Sequence, residues 1–195
     1  MKWIVRLLGA VVVLIIVAVG VLAAMGMREG ANELKSSVEI GRSPSAVWPW
    51  ITQAERQKQW VGWLVDIRPV GEQRDGVGAR EIWVMEDKNN NNQLMEIMGE
   101  LTAVEVNKFV EVKLSSAELF DGTASYKLID LGDGRTRMET VGKYHFQSAF
   151  ARLLLPVIMP QARKKMEKDL AKLKELIEAE PAATPGIEQV SAPAK

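Results

Sequence analysis

Polarity along the chain changes character three times. From Leu7 to Met27 there is no charge at all: LLGAVVVLIIVAVGVLAAMGM. From Val38 to Tyr144 apolar and polar residues alternate in short runs with a period of two. After Gln161 the apolar residues Ala162, Met166, Leu170, Leu173 and Ile177 recur at steps of four and three. These patterns predict, in order, a membrane-length helix, a series of half-buried strands and one long amphipathic helix. The last stretch, PAATPGIEQVSAPAK over 181–195, has too few apolar groups to fold and is expected to be a disordered tail.

Within the alternating region, Gly30 to Ser36 is expected to be a short polar linker. Val38 and Ile40 begin the first strand. Ser43-Pro44 then opens a helix, with Ser43 as N-cap and Pro44 at the first helical position. Val47, Trp48 and Ile51 form its expected buried side, and Pro49 makes it short or bent. A second short helix is expected from Ala54 to Val61. Trp48, Trp50, Trp60 and Trp63 crowd this region, and their simplest role is to fasten the helix pair to the sheet, with ligand stacking as the alternative.

Strands follow over Leu64–Val70 and Arg80–Glu86, and alternation leaves the inward face of the second unassigned. Asp87–Gln93 is expected to be a hairpin tip, because Asn tolerates left-handed backbone. Asp87, Asn89 and Asn91 have the spacing that opens a calcium loop, but Asn92 replaces the glycine at position 6 and Met98 stands where the bidentate Glu is needed, which excludes one. Four more strands place Met95, Ile97, Leu101; Val110, Val112, Leu114; Ala124, Tyr126, Leu128; and Met138, Thr140, Tyr144 on apolar faces. Asp121-Gly122 and Gly132-Asp133-Gly134 are expected turns between them. The pattern sends His145 to solvent. Ser148–Leu155 begins a helical region that Pro156 and Pro160 are expected to interrupt, so the long helix is placed at Gln161–Ala179.

The apolar segment needs a reading of its own. About 20 apolar residues cross the hydrocarbon core as a helix, whereas a cleaved signal peptide has an apolar run of about 7–15. The longer run here favours a retained single-pass anchor over residues 4–27, and Ala24-Met25-Gly26 is where a peptidase would cut in the alternative. Lys2 and Arg6 favour a cytoplasmic N-terminus and an extracytoplasmic globular part, against a small opposing bias from Arg28 and Lys35.

Composition removes several classes of function. The 195 residues carry 25 basic and 25 acidic side chains, which does not point to nucleic-acid binding. There is no cysteine, hence no disulfide, thiolate metal site or cysteine nucleophile, and a single histidine leaves little for a metal centre or a Ser-His scheme. No cofactor and no metal are expected. Arg163, Lys164, Lys165, Lys168 and Lys172 lie off the helix stripe with acidic residues among them and read as a solvated face, with contact to anionic lipid beside the anchor as the alternative.

The order of one strand, two short helices, about six more strands and a long helix gives an α+β domain over 37–180, preceded by an anchor at 1–29 and followed by the tail at 181–195. VEIGRSPSAVWPWITQAERQKQW resembles the opening of the polyketide cyclase/dehydrase and lipid-transport group of the START-like, helix-grip (SRPBCC) superfamily. GVGAR at Gly76–Arg80 resembles the turn into that group's third strand, and FARLLLPVIMPQARKKMEKDLAKLKELIE resembles its closing helix. The resemblance implies a curved antiparallel sheet of about seven strands gripping the C-terminal helix. It implies an apolar cavity for lipids, sterols, polyketides or similar molecules, which some members cyclise or dehydrate. It transfers no catalytic residue.

The expected ligand-binding positions are Trp83, Met95, Ile97, Val112, Tyr126, Met138, Tyr144, Met166 and Leu170. Among the inward positions only Tyr126 and Tyr144 could move a proton, and Asp66, Arg80 and Glu81 could line the mouth. That inventory suits binding better than catalysis. Three functions follow: an anchored carrier of a hydrophobic small molecule or lipid; an enzyme, which needs a polar dyad of a tyrosine with Arg80 or Glu81; or an envelope interaction module with a filled interior.

Overall fold

The computed structural model describes residues 2–26, 30–87, 91–117 and 119–181. Helix α1 (Lys2–Gly26) is followed by β1 (Glu33–Ile40), α2 (Pro44–Thr52), α3 (Ala54–Trp60), β2 (Leu64–Val70), β3 (Arg80–Asp87), β4 (Gln93–Glu105), β5 (Phe109–Ser116), β6 (Phe120–Gly132), β7 (Arg135–Phe146), α4 (Ala149–Leu153) and α5 (Leu155–Ala179). The strands form one antiparallel sheet in the order β1-β7-β6-β5-β4-β3-β2. The first strand therefore closes against the last, and α2 and α3 bridge the two sheet edges, β1 and β2. Register shifts at Leu64/Asp66, Leu101/Ala103 and Asp130/Gly132 interrupt the ladders. Such bulges bend and twist a sheet, and here they help it curl around α5.

Three boundaries differ from the sequence reading. The segment placed in the linker is already strand from Glu33, because β1 pairs continuously with β7 from Glu33↔Lys143 to Ile40↔Thr136 and buries Leu34. Asp121-Gly122 is not a turn: both lie inside β6, paired with β5 and β7, and the chain reverses before Phe120 instead. The long helix begins at Leu155. Pro156 sits in its first turn, where no N–H is missed, and Pro160 forfeits one further bond without ending it. Asn91 and Asn92 do adopt left-handed backbone (φ 51° and 55°) in the β3–β4 connection. Asp87 and Gln93 close the two strands as a pair, and residues 88–90 of the tip, 27–29 and the 182–195 tail lie outside the described residues.

The core sits at one end of the grip. Ile40, Val47, Ile51, Met138, Leu173 and Ile177 are essentially inaccessible and pack together with Trp50, Trp60, Leu128 and Leu170. At this end α5 is also pinned by polar contacts. The Gly41 N–H donates to Glu178 Oε1 at 2.7 Å, and Arg42 Nη2 donates to the Glu178 and Glu180 carbonyls at 2.9 and 2.8 Å. Lys174 Nζ donates to the Glu39 carbonyl at 2.7 Å. Thr136, fully buried in β7, donates to the Arg42 carbonyl at 2.7 Å. The C-terminal half of α5 is thus held flush to the sheet. Its N-terminal half packs on Leu34 of β1 through Leu155 and Met159 but leaves a space over the neighbouring strands, and the site lies there.

Candidate functional site

The apolar stripe of α5 divides by what it meets. Leu173 and Ile177 are packed solid, while Met159, Ala162 and Met166 face a cavity of about 290 Å³ between helix and sheet, with Leu170 at the divide. The opposite wall comes from Met85, Met95, Ile97, Leu114, Ala124 and Tyr144, and Leu34, Phe120 and Phe146 close its end. Almost every wall group is apolar. Phe120 and Tyr144 meet edge-on at 5.4 Å between ring centroids.

A second cavity of about 370 Å³ lies further along the same inner face, towards the turn after β4 at Val106. Its walls are mixed: Trp48, Ile51, Leu101, Val110 and Val112 alternate with Gln53, Gln57, Arg74, Asp75, Arg80 and Glu81. Trp83 and Tyr126 line both cavities and form the partition between them. Tyr126 is braced by Trp60, edge-on at 6.3 Å. The Trp83 indole N–H donates to Glu81 Oε1.

Room for these rings comes from glycines inside strands. A Cβ on Gly142 would fall 2.6 Å from the Tyr144 hydroxyl, so the phenol lies back across its own strand. A Cβ on Gly122 would meet the Lys143 carbonyl at 2.3 Å, and one on Gly99 would approach Val112, Glu81 and Trp83 together. Interior strand glycines commonly mark such close approaches.

The predicted site residues distribute unevenly. Met95, Ile97, Tyr144, Met166 and Leu170 line the apolar cavity, Val112 the mixed one, and Trp83 and Tyr126 both. Met138 lines neither: it is fully buried against the Ile40–Leu173 core, where α5 seats closely. Of the tryptophans, Trp50 is a buried fastener; Trp60, also buried, donates its Nε1–H to the Trp50 carbonyl at 2.9 Å and lines the apolar cavity as well, and the half-buried Trp48 and Trp63 face the mixed and the apolar cavity. His145 is exposed, as its alternation predicts.

Lys165 and Phe120 escape the sequence reading, whereas Arg80 and Glu81, expected at the mouth, do line the mixed cavity and Asp66 lines neither cavity. Glu81 points inward because β3 pairs Glu81 with Gly99 and Trp83 with Ile97, so Glu81, Trp83 and Met85 share the inner face. Burial pushes its carboxyl above the ordinary range, opposed by the indole hydrogen bond. Lys165 leaves the expected solvated face. It lies 4.6 Å over the Trp63 ring, pairs with Asp169 at 2.8 Å, and both flank the apolar cavity against the α3–β2 turn. Phe120 was hidden by the misplaced turn. The glycines at 99, 122 and 142 were the available signal.

The dyad that an enzyme would need does not form. Among the described residues neither tyrosine hydrogen-bonds to Glu81 or Arg80; Arg80 pairs outward with Glu100 at 3.4 Å. Burial raises the pKa of both phenols, that of Tyr126 far beyond working pH, so neither is poised as a base. No cluster of three metal-ligating side chains occurs among the described residues.

Residues 32–178 match the family described as polyketide cyclase / dehydrase and lipid transport. Among solved structures, a protein of Chromobacterium violaceum is 12% identical with a TM-score of 0.61, covering 76% of this chain and 99% of its own. One from Thermus thermophilus is 16% identical with a TM-score of 0.61 (74% and 96% covered), and a START superfamily protein from Mycobacterium smegmatis is 16% identical at 0.55 (75% and 94%). At these identities the likeness speaks for the fold. No curated protein matches the chain.

Proposed function

The chain belongs to the polyketide cyclase/dehydrase and lipid-transport family, and from that premise we propose that it is a membrane-anchored binding protein for a hydrophobic small molecule or lipid, held between the sheet and α5. The observation that carries this reading is the apolar cavity of about 290 Å³ walled by Met85, Met95, Ile97, Phe120, Tyr144 and Met166. Thioether and aromatic walls adapt to loosely defined apolar shapes. The void also weighs against a ligand-free interaction module, which calls for a filled interior.

In this reading 1–29 is the anchor, 37–180 the ligand-binding domain and 181–195 the tail. The domain lies outside the cytoplasm, with Lys2 and Arg6 held inside. Helix α1 is apolar, exposed along its length and long enough to cross a bilayer. It meets the domain at α4 and the start of α5: a Cβ on Gly26 would fall 2.6 Å from the Arg152 carbonyl and 4.0 Å from Pro156. Ile158 and Met159, next along α5, line the apolar cavity. That arrangement would bring the cavity close to a membrane surface.

Native mass spectrometry of the full chain, released from nanodiscs made with a total lipid extract, tests the proposal. A discrete adduct that survives delipidation and is lost on filling the cavity with Ala162→Phe supports it. A chain that stays empty across extracts of different composition refutes it.

A further inference from the structure

We propose that the mixed cavity is a second subsite, in which Glu81 receives the hydrogen-bond-donating head group, hydroxyl or ammonium, of an amphiphile whose apolar chain passes between Trp83 and Tyr126 into the apolar cavity. The inference rests on the carrier reading and specifies what is carried.

Three observations converge on Glu81. The first is continuity: Trp83 and Tyr126 line both cavities, so the two spaces meet at this pair of rings. An apolar chain sliding between two aromatic faces loses no hydrogen bond. The second is charge. The rim of the mixed cavity carries Arg74, Asp75 and Arg80, and Arg80 is already paired with Glu100 at 3.4 Å. Glu81 sits deeper and has no cationic partner among the described residues; its one side-chain hydrogen bond comes from the Trp83 indole. A carboxyl half-buried with a single donor retains accepting capacity that water or a ligand must fill.

The third is the backbone beneath it. Gly99 lies opposite Glu81 across the β3–β4 ladder, and a Cβ there would stand 3.5 Å from both Glu81 Cγ and Trp83 Nε1 and 3.2 Å from Val112. The bare glycine lets the carboxyl and the indole lie flat on the sheet, which keeps the lumen above them open. Burial raises the Glu81 carboxyl, so the charge is held at a cost that no cation among the described residues offsets. A donor head group would offset it. An anionic head group would bring a like charge to the same place and be rejected.

The test uses the full chain in phosphatidylcholine nanodiscs, titrated calorimetrically with octylammonium, octanol and octanoate, with empty nanodiscs subtracted. Octylammonium and octanol should bind at least roughly tenfold more tightly than octanoate, as expected for one charge-assisted hydrogen bond. Glu81→Gln should erase the ammonium-over-carboxylate preference, and Arg80→Gln, which alters only the rim, should leave it standing. Equal affinities in the unaltered chain, or a preference that survives Glu81→Gln or vanishes with Arg80→Gln, would overturn the subsite while leaving the carrier reading intact. Failure of all three probes to bind would overturn both.

Discussion

At the scale of single residues, the cavity is defined as much by side chains that are missing as by those present. Gly122 and Gly142 flank Tyr144 on neighbouring strands, and Gly99 underlies Trp83. The three are not equivalent. A methyl at 142 or 99 meets the movable parts of side chains, whereas at 122 it meets the Lys143 carbonyl, which is backbone in the middle of a ladder. Gly122→Ala should therefore lower stability by at least about 1–3 kcal/mol in chemical denaturation, as for other overpacked sites. Gly142→Ala should be better tolerated but push the Tyr144 ring into the apolar cavity, which a reduced capacity for octanol would reveal.

Helix α5 works as two half-elements with different tasks. Leu173 has no exposed surface, and Met166 borders the void. Leu173→Ala should cost about 2–5 kcal/mol, the range for emptying a packed core site. Met166→Ala should cost less than about 2 kcal/mol, because truncation there widens an existing space instead of opening a new one. Paired denaturation curves decide between this division and a uniformly packed helix.

The polar clamp at the far end of the same helix carries a pH signature. Lys174 and the Gly41 N–H hold the Glu178 carboxyl below its ordinary value of 4.5. A depressed folded-state value means that the contribution is complete above about 4.5 and disappears as pH falls through the lower folded value. Thermal melts of the parent chain and Glu178→Gln should thus differ at neutral pH and converge in acid. A constant difference across that range would show that the ionised clamp is not what holds the helix end.

For the molecule as a whole, the consequence is an orientation. The start of β1, the end of β7, the turn before Phe120 and the α4–α5 corner gather at one end, where Tyr144 N–H donates to the Asn32 carbonyl and Gln147 N–H to the Leu119 carbonyl. Helix α1 arrives at this end too. Phe150, Val157 and Ile158 are 68%, 49% and 37% exposed there, so a bilayer holding α1 would lie against apolar side chains. The absence of cysteine allows clean single labels. In proteoliposomes, an environment-sensitive dye at Phe150→Cys should be quenched by lipid-borne quencher and shielded from iodide. The same dye at Val106→Cys, at the opposite end, should show the reverse. Equal iodide access at both positions would remove the proposed orientation.

The sequence alone determined the element order, the strand periodicity and the helix stripe, because those depend on periods of 2 and 3.6 that are local properties of the chain. It also specified the apolar positions of Met95, Ile97, Tyr126 and Tyr144 by alternation and of Met166 and Leu170 by the helix stripe, since either period assigns a face even when the neighbours are unknown. It could not separate Met138 from Met166. Both are apolar and inward, and only the distance between sheet and helix at each height makes one packed core and the other a cavity wall. The inward turn of Glu81, the partition at Trp83 and Tyr126, and the withdrawal of Lys165 to Trp63 and Asp169 were likewise decided by tertiary structure. Each depends on which strand or loop lies opposite, and that pairing is non-local.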